Sequence, residues 1–396
     1  MVGSAAEQSG SRRATAWPGR ALSVVTVSIA LCLLILAVRA DAPWVLRHLQ
    51  LLDAHGPPAA WVPIALRAGL GLIAALLIFA ALRLRRLTSW PSAGAALRVG
   101  VSMLLALPAA EGMLRLARSR RSEDRRTLHE RLGEPHPRWG WRFKPGTSAT
   151  VKLFGRDVPL AFDQDGSRIG CAGEAPDPAA PSLVIAGESM AMGHGLRWEE
   201  TIAVRAARRL GLQPVNLAVN GYGVDQAFLR VRDLLPALKA PRIVVMVVLP
   251  IQLGRNLIDD HPRLSLSPSG ELEVLPAAEG FLAGLQLRTL FVQRLPLRTE
   301  AEVQRTVALS SALLRKTAAL ARASGARLLF VVPSPGLARP GTIRPEAALV
   351  EEVFAAVDAP WIFVGLPAAE RFPDGHPNAA GAQHLADAIA SVLEEA

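Results

Sequence analysis

Two side chains in the C-terminal half of the chain could act together as a nucleophile and its base. Ser189 follows the apolar run 182–186, within a Gly-Glu-Ser-Met segment. His376 lies in a Pro-Asp-Gly-His-Pro segment, two residues after the carboxylate of Asp374. An ester hydrolase needs such a base, oriented by an acid, beside its serine. Each segment alone also fits an ordinary turn or helix cap, so the chemistry depends on whether the fold brings them together.

A third segment could donate hydrogen bonds to the oxyanion that this chemistry forms. Residues 216–223 read Asn-Leu-Ala-Val-Asn-Gly-Tyr-Gly. Gly221 would let the backbone approach a substrate and offer its N–H group, although a plain turn between a strand and a helix explains the same glycines. His194 is the other histidine close to Ser189 in the sequence, and we interpret it as a loop residue, not as the base.

Strand-like and helix-like stretches alternate from residue 182 onward. Short runs rich in Val, Leu and Ile predict strands covered on both faces, at 182–186, 215–219, 242–249, 326–332 and 361–364. Stretches of helical composition follow them, at 199–210, 225–238, 302–323, 344–357 and 378–393. This alternation predicts a parallel sheet with helices on both sides, and ligands bind such sheets at the carboxyl ends of the strands.

Taken in order, the three segments resemble the SGNH, or GDSL-type, hydrolase family in its bacterial membrane-anchored variant, over roughly residues 182–396. The matching blocks are 187–189 for the nucleophile, 216–221 for the glycine and 374–378 for the terminal Asp and His; segments 193–195 and 221–226 also look like this variant. The resemblance implies a flavodoxin-like three-layer α/β/α sandwich. It also implies a catalytic triad and an oxyanion hole, which we assign as follows: Ser189, His376 and Asp374 for the triad; Ser189, Gly221 and Asn256 for the oxyanion hole.

The chain departs from the family pattern at three places. Glu188 replaces the usual aspartate beside the nucleophile, and Asp374 precedes the histidine by two positions instead of three. The block Gly-x-Asn-Asp is altered to Leu-Gly-Arg-Asn-Leu at 253–257. We choose Asn256 as the third oxyanion donor, whereas a shift of one residue would put Arg255 there. An arginine could still stabilise an anion, or could indicate a changed function.

Apolar runs flanked by arginines predict a membrane region before residue 120. The runs 21–38 and 61–82 are long enough to cross a bilayer, and the first exceeds the usual core of a signal peptide. The run 99–116 contains Pro108, Glu111 and Arg115, so it fits either a third span or an interfacial helix. Glu111 and Arg115 are one helical turn apart and could pair.

Charge supports a membrane partner and argues against nucleic acid. Residues 1–150 hold 20 Lys and Arg against 8 Asp and Glu, whereas the remainder is nearly neutral. This distribution is typical of membrane orientation, while a nucleic-acid reader carries its basic face on the folded domain. Arg12, Arg13 and Arg20 favour a cytoplasmic N-terminus in the cell inner membrane. Three spans would then place the C-terminal domain outside the cytoplasm, which we expect, and two would keep it inside.

We therefore divide the chain into a membrane region of two or three transmembrane helices (1–120), a linker and entry segment (121–181) and an SGNH-like hydrolase domain (182–396). An insertion at about 259–299 is expected to contain a hairpin at 264–275 and then a helix. It could form a lid or substrate wall, or could pack against the membrane helices.

These features predict a membrane-anchored carboxylic ester hydrolase that removes an acyl or acetyl group from a glycan or lipid. Two alternatives remain. One is an O-acyltransferase for a cell-envelope polysaccharide, with a membrane-embedded partner; the other is a catalytically silent scaffold. The chain has two cysteines, Cys32 and Cys171, and no Cys/His set with zinc spacing, so we expect no disulfide framework, metal or cofactor.

Overall fold

The computed structural model describes residues 17–48, 61–84, 93–120, 128–289, 298–335 and 345–395. They divide into an N-terminal unit (1–45 and 58–117) and a C-terminal unit (46–57 and 118–396). Part of the predicted insertion, residues 290–297, lies outside the described residues. So do seven basic residues that flank the apolar runs: Arg12, Arg13, Arg85, Arg86, Arg121, Arg125 and Arg126.

The N-terminal unit is helical. Its elements are α1 (Trp17–Arg39), the start of α2 (Ala42–His48), α3 (Trp61–Leu84) and α4 (Ala93–Ser119). α1 packs against α3. All three predicted apolar runs are therefore helices. Among the described residues, only the segment Pro63–Arg83 is both long enough and apolar enough to cross a membrane, because the apolar part of α1, Ser23–Arg39, is shorter.

The C-terminal unit contains twelve strands and nine α-helices within the described residues. The strands are β1 (Gly133–His136), β2 (Gly140–Phe143), β3 (Ser148–Leu153), β4 (Arg156–Phe162), β5 (Arg168–Ile169), β6 (Ser182–Ala186), β7 (Gln213–Asn216), β8 (Pro241–Val247), β9 (Arg263–Leu266), β10 (Leu272–Leu275), β11 (Arg327–Pro335) and β12 (Trp361–Leu366). The helices are α5 (Leu128–Leu132), α6 (Ser189–Met192), α7 (Ile202–Arg209), α8 (Val224–Leu234), α9 (Pro250–Arg255), α10 (Gln286–Thr289), α11 (Glu300–Ala323), α12 (Pro345–Phe354) and α13 (Ala379–Glu395).

One eight-stranded sheet organises this unit, in the order β12-β11-β8-β6-β7-β5-β4-β3. The first five of these strands are parallel, which confirms the predicted parallel sheet. Numbered along the chain, they follow the doubly wound order 2-1-3-4-5. The point where the winding reverses lies between β6 and β8, so a residue that follows β6 stands where such sheets bind ligands.

Helices cover the parallel strands in two groups. α7 packs with α13, whereas α8 packs with α11 and α11 with α12, and members of both groups contact the strands. Every residue of β6 is buried. A strand buried on both faces carries a continuous apolar run, which is why the sequence predicted β6 at its observed bounds.

The linker and entry segment, 121–181, contains the strands β1 to β5. β5, β4 and β3 continue the sheet beyond β7 in antiparallel pairing, and β1 and β2 form a separate hairpin. Residues of β3 alternate between more exposed and more buried positions, so this strand lacks the continuous apolar run that revealed the central strands. We call β3, β4 and β5 the antiparallel extension.

A buried arginine joins this extension to the loop that follows α6. Arg168, in β5, is 1% exposed. Its Nη1 donates to the carbonyl oxygens of Met192 (2.9 Å) and Gly193 (2.7 Å), and its Nη2 donates to that of Leu196 (2.6 Å). Burial lowers the pKa of Arg168 to about 10, so the group is still a cation at neutral pH. The three carbonyl groups replace part of the water that this cation loses, while its buried Nε has no hydrogen-bond partner among the described residues.

The predicted hairpin in the insertion is confirmed by the antiparallel pairing of β9 and β10. The Leu264 N–H donates to Asp225 Oδ2 at 3.1 Å, and the Leu264 side chain is buried. Asp225 lies in the first turn of α8, so the hairpin is anchored to that helix. The described part of the helix expected after the hairpin is limited to α10.

We predict that Arg168→Met lowers the free energy of unfolding by about 3 kcal/mol or more, since each buried polar group left unsatisfied costs about 1–3 kcal/mol. Urea unfolding of the detergent-solubilised full chain, followed by tryptophan fluorescence, measures the change. The matched control is Arg142→Met, which removes a partly exposed ion pair to Glu134 (2.9 Å) and should cost less than about 1 kcal/mol. Equal losses for the two variants would contradict the role given to Arg168.

Candidate active site

Ser189 begins α6, directly after β6 ends. The turn between them requires Gly187, whose φ is 139° and where a Cβ would lie 2.7 Å from the carbonyl oxygen of Val247 in β8. A side chain at this position would therefore push β6 and β8 apart. Ser189 is buried at 6% exposure and stands at the carboxyl end of β6.

Hydrogen bonds connect Ser189, His376 and Asp374 in a row. Ser189 Oγ lies 2.7 Å from His376 Nε2, and His376 Nδ1 lies 2.8 Å from Asp374 Oδ2. Asp374 Oδ1 also accepts a hydrogen bond from the backbone N–H of His376 at 3.1 Å. With a spacing of two residues, Asp374 therefore binds both the backbone and the ring of His376. Burial would raise the pKa of Asp374, but the hydrogen bonds and charge of His376 lower it. Because an ionised Asp374 can only accept, Nδ1 carries the proton and Nε2 is available to accept one from Ser189.

Glu188 offers the Ser189 hydroxyl a second acceptor. Ser189 Oγ is hydrogen-bonded to Glu188 Oε2, and Arg255 Nη1 lies 3.3 Å from the same oxygen. The Met190 N–H donates to Glu188 Oε1 at 3.1 Å. Burial alone would raise the pKa of the Glu188 carboxyl, but the charges of Arg255 and His376 and these hydrogen bonds lower it to about 2. The carboxylate is thus ionised at neutral pH, and its negative charge faces the positive guanidinium group of Arg255.

The three predicted oxyanion donors do not all lie at this site. Neither the Ser189 N–H nor the Gly221 N–H donates to another described residue, and Gly221 has the left-handed φ of 83° that favours glycine. The Asn256 side chain is buried and points away from Ser189, toward α8 and α11. Its Nδ2 donates to Ser310 Oγ (3.1 Å) in α11, and its Oδ1 accepts the Asp225 N–H (3.3 Å).

Arg255, one residue before Asn256, is the side chain from this segment that reaches the site. Besides Glu188, its Nη1 contacts the carbonyl oxygen of Tyr222 at 3.2 Å. α9 ends at Arg255, and Asn256 follows as its C-terminal cap. Successive residues at a helix end point in directions about 100° apart, so only one of the two can face Glu188.

Aromatic residues that were not predicted to belong to the site lie next to the reacting groups. The rings of His194 and His376 are 4.6 Å apart, and Phe154 meets His194 edge to face at 5.7 Å. Phe154 also stacks on Phe372 at 4.3 Å. Trp141 Nε1 donates to the Asn220 carbonyl oxygen at 3.0 Å. Trp139, Trp141 and Phe143 alternate along the chain, which indicates a short strand, whereas no pattern in the sequence marks Phe154.

His194, Asp374 and His376 are the described residues that could hold a metal ion, with ligand atoms within 4.8 Å of one another. His376 already uses one ring nitrogen on Asp374 and the other on Ser189. A metal ion bound here would therefore have to displace one of these hydrogen bonds, and it would compete with the serine chemistry.

The chain is similar to several solved esterase structures, while no protein-family model and no curated protein sequence matches it. One is the acetyl xylan esterase Est2A from the rumen bacterium Butyrivibrio proteoclasticus, with 13% identity and a TM-score of 0.34, covering 59% of this chain and 67% of that one. Another is a GDSL-like lipase from Bacteroides thetaiotaomicron, with 14% identity and a TM-score of 0.33, covering 54% and 88%. A likeness of this size assigns neither a family nor a substrate, so the function has to be inferred from the geometry of the site.

We predict a loss of stability in acid that depends on Glu188. Its pKa of about 2 in the folded chain lies below the ordinary value of 4.5, so the carboxylate stabilises the fold above pH 4.5 and this contribution is lost as the pH falls toward 2. Glu188→Gln should be less stable than the unmodified chain at pH 6 by up to about 3 kcal/mol, and the gap should narrow by about 1.4 kcal/mol at pH 3.5.

Urea unfolding at both pH values measures the gap, with Glu273→Gln on the exposed face of β10 as the control that should show none. A gap of the same size at pH 6 and pH 3.5 would rule out an ionised Glu188 as its source.

Proposed function

We propose that the chain is a membrane-anchored serine hydrolase that cleaves a carboxylic ester of a glycan or lipid. The observation that carries this proposal is the row of hydrogen bonds from Ser189 through His376 to Asp374, at 2.7 and 2.8 Å, at the carboxyl end of β6. Nucleophile, base and orienting acid are then in the relation that acyl transfer requires.

In the first half of the reaction, His376 Nε2 takes the Ser189 proton as Oγ attacks the acyl carbon of the ester. The carbonyl oxygen becomes an oxyanion, to which the N–H groups of Ser189 and Gly221 can donate. Donors of this kind are worth roughly 3–4 kcal/mol each to the transition state. His376 then gives the proton to the leaving alcohol, and an acyl group remains on Ser189. In the second half, His376 takes a proton from water, the hydroxide releases the acid, and Ser189 regains its proton.

Glu188 and Arg255 set the charge around the nucleophile. An isolated carboxylate beside Ser189 would oppose the negative charge that develops on the substrate oxygen. The Arg255 guanidinium, at 3.3 Å, balances the Glu188 charge, and so reduces this opposition. We therefore assign Arg255 a positioning and charge-balancing role next to the oxyanion site, in place of the amide expected from Asn256.

Exposed apolar side chains support the membrane anchor. Val38 on α1, Ile64 on α3 and Leu104 on α4 are each more than 60% exposed, as lipid-facing residues would be. On α4, Arg115 Nε donates to Glu111 Oε1 at 2.6 Å, which lowers the cost of placing this pair in lipid. A third span formed by α4 would put the C-terminal unit outside the cytoplasm.

We predict that Ser189→Ala and His376→Gln each lower kcat for 4-nitrophenyl acetate by at least about 10³-fold, because neither group can form the acyl intermediate alone. Asp374→Asn should lower kcat by at least about tenfold, because the ring of His376 is no longer held in its productive tautomer. The assay uses the full chain purified in detergent.

The control for these variants is His384→Gln, which removes a surface contact to Glu370 (2.7 Å) and should leave kcat within about twofold. Turnover that survives in Ser189→Ala would overturn the nucleophile assignment. An unmodified chain that neither hydrolyses the ester nor reacts with a fluorophosphonate at Ser189 would instead favour the silent scaffold.

We predict that Cys171 is accessible from outside the cytoplasmic membrane. Cys171 is exposed in the C-terminal unit, and Cys32→Ser leaves it as the single thiol of the chain. A membrane-impermeant maleimide should label this variant in intact bacterial spheroplasts, with the chain retained in the membrane fraction after a carbonate wash. Labelling only after lysis would show that the C-terminal unit faces the cytoplasm and that α4 does not span.

A further inference from the structure

His194 and Asn220 form a polar pair beside the reacting groups that the proposed reaction does not use. His194 Nδ1 and Asn220 Nδ2 are 3.2 Å apart, and the His194 ring lies 4.6 Å from that of His376. Asn220 is 9% exposed and precedes Gly221, whose N–H group faces the oxyanion in the proposed reaction. The pair is therefore within reach of a substrate bound at Ser189.

Each member of this pair has an atom left over. Within the described part of the chain, Asn220 Oδ1 is buried without a hydrogen-bond partner, and His194 Nε2 has none. With Nδ2 donating to Nδ1, the His194 proton lies on Nε2, so Nε2 can donate and Oδ1 can accept. Turning the amide over exchanges these roles, because Nδ1 then donates to Oδ1. In both arrangements the pair offers at least one unused donor and one unused acceptor.

The pair is uncharged at neutral pH. Burial and the neighbouring charge of His376 lower the pKa of His194 to about 4, so its ring is neutral in most conditions. A neutral donor and a neutral acceptor give no charge partner to a carboxylate or an ammonium group. A hydroxyl group both donates and accepts, and it would satisfy the buried amide atom, whose isolation costs about 1–3 kcal/mol.

Aromatic rings lie beside His194. Phe154 and Phe372 are stacked, and Phe154 also touches His194. A Cβ at Gly195 would lie 2.6 Å from the Phe154 ring and 2.9 Å from that of Phe372, so glycine is needed for the wall to form. Phe154 and Gly155 have positive φ values of 51° and 75°, as the two-residue turn that joins β3 to β4 requires.

We propose that His194 and Asn220 bind a hydroxyl group on the alcohol part of the ester, and that this alcohol is a sugar or similar polyol. The apolar wall of Phe154 and Phe372 then faces the C–H groups of the sugar ring. This inference rests on the proposed ester hydrolysis and selects a hydroxylated substrate over a simple fatty ester.

The test compares two acetate esters of similar shape, methyl α-D-glucopyranoside 6-acetate and cyclohexylmethyl acetate, by acetate release from the full chain in detergent. We expect the unmodified chain to favour the sugar ester in kcat/KM by at least about tenfold, since a site with unpaired polar groups rejects the analogue without hydroxyls. His194→Phe and Asn220→Leu should each lower this ratio by at least about tenfold, through KM more than kcat. His136→Phe, which keeps the ring stacked on Trp139 at 4.0 Å, is the matched control and should keep the ratio.

The subsite would be overturned by a ratio near one in the unmodified chain. It would also be overturned if the two variants lost kcat/KM equally for both esters. Failure of the hydrolase proposal has a different signature, since neither ester would then be cleaved. In that event methyl α-D-glucopyranoside is titrated against Ser189→Ala, with tryptophan fluorescence as the readout because Trp141 contacts Asn220. Saturable binding that the added His194→Phe change abolishes would support the subsite, and absence of binding would reject it.

Discussion

A guanidinium group removed from water connects the parts of the C-terminal unit that meet at the site. Arg168 comes from the antiparallel extension, and its three acceptors lie between Met192 and Leu196, in the loop that carries His194. No carboxylate among the described residues hydrogen-bonds to it. The backbone carbonyl groups that accept from Nη1 and Nη2 stabilise the buried cation, while its Nε has no hydrogen-bond partner in the described part of the chain. If Arg168 no longer held that loop, His194 would lose its fixed position and its contact with Phe154, which belongs to the same extension. The strands outside the parallel core are therefore a condition for the shape of the site.

Two departures from the family pattern are explained together by the contacts of Glu188. The additional methylene of glutamate lets one carboxylate oxygen reach the Ser189 hydroxyl while the other accepts the Met190 N–H. Arg255 supplies a positive partner to this carboxylate, at the place where the pattern has an amide. Removing the Arg255 guanidinium would leave the buried Glu188 carboxylate without the positive charge that it faces, which is destabilising. Glu188 and Arg255 thus form one ion pair, although they belong to two segments far apart in the sequence.

The central part of the fold follows from the sequence because its strands are buried on both faces. β6, β8, β11 and β12 all lie within the apolar runs or extend them by a few residues. β7 ends earlier than expected, at Asn216, whose side chain accepts the Ala218 N–H and turns the chain. The antiparallel extension could not be found in this way, because β3 alternates and β5 has only two residues.

The residues of the site also fall into a group that was predictable from the sequence and a group that was not. The proximity of Ser189 to the Asp374 and His376 segment was predictable, because carboxyl ends of parallel strands meet at one edge of the sheet. The choice between Arg255 and Asn256 was not, because it depends on which way a side chain points at the end of a short helix. Phe154 and Arg168 were missed for another reason: their contacts cross between segments far apart in sequence.

The antiparallel extension also determines which strand ends the sheet. Without it, β7 would present a free row of backbone N–H and C=O groups to other chains. The outermost strand on this side of the sheet is instead β3, which carries exposed Ser148, Thr150 and Lys152. A charged, polar outer strand disfavours the pairing of one sheet with another. With the proposed membrane anchor, copies would be confined to two dimensions and would meet often, and this border would disfavour pairing between neighbouring molecules on that side of the sheet.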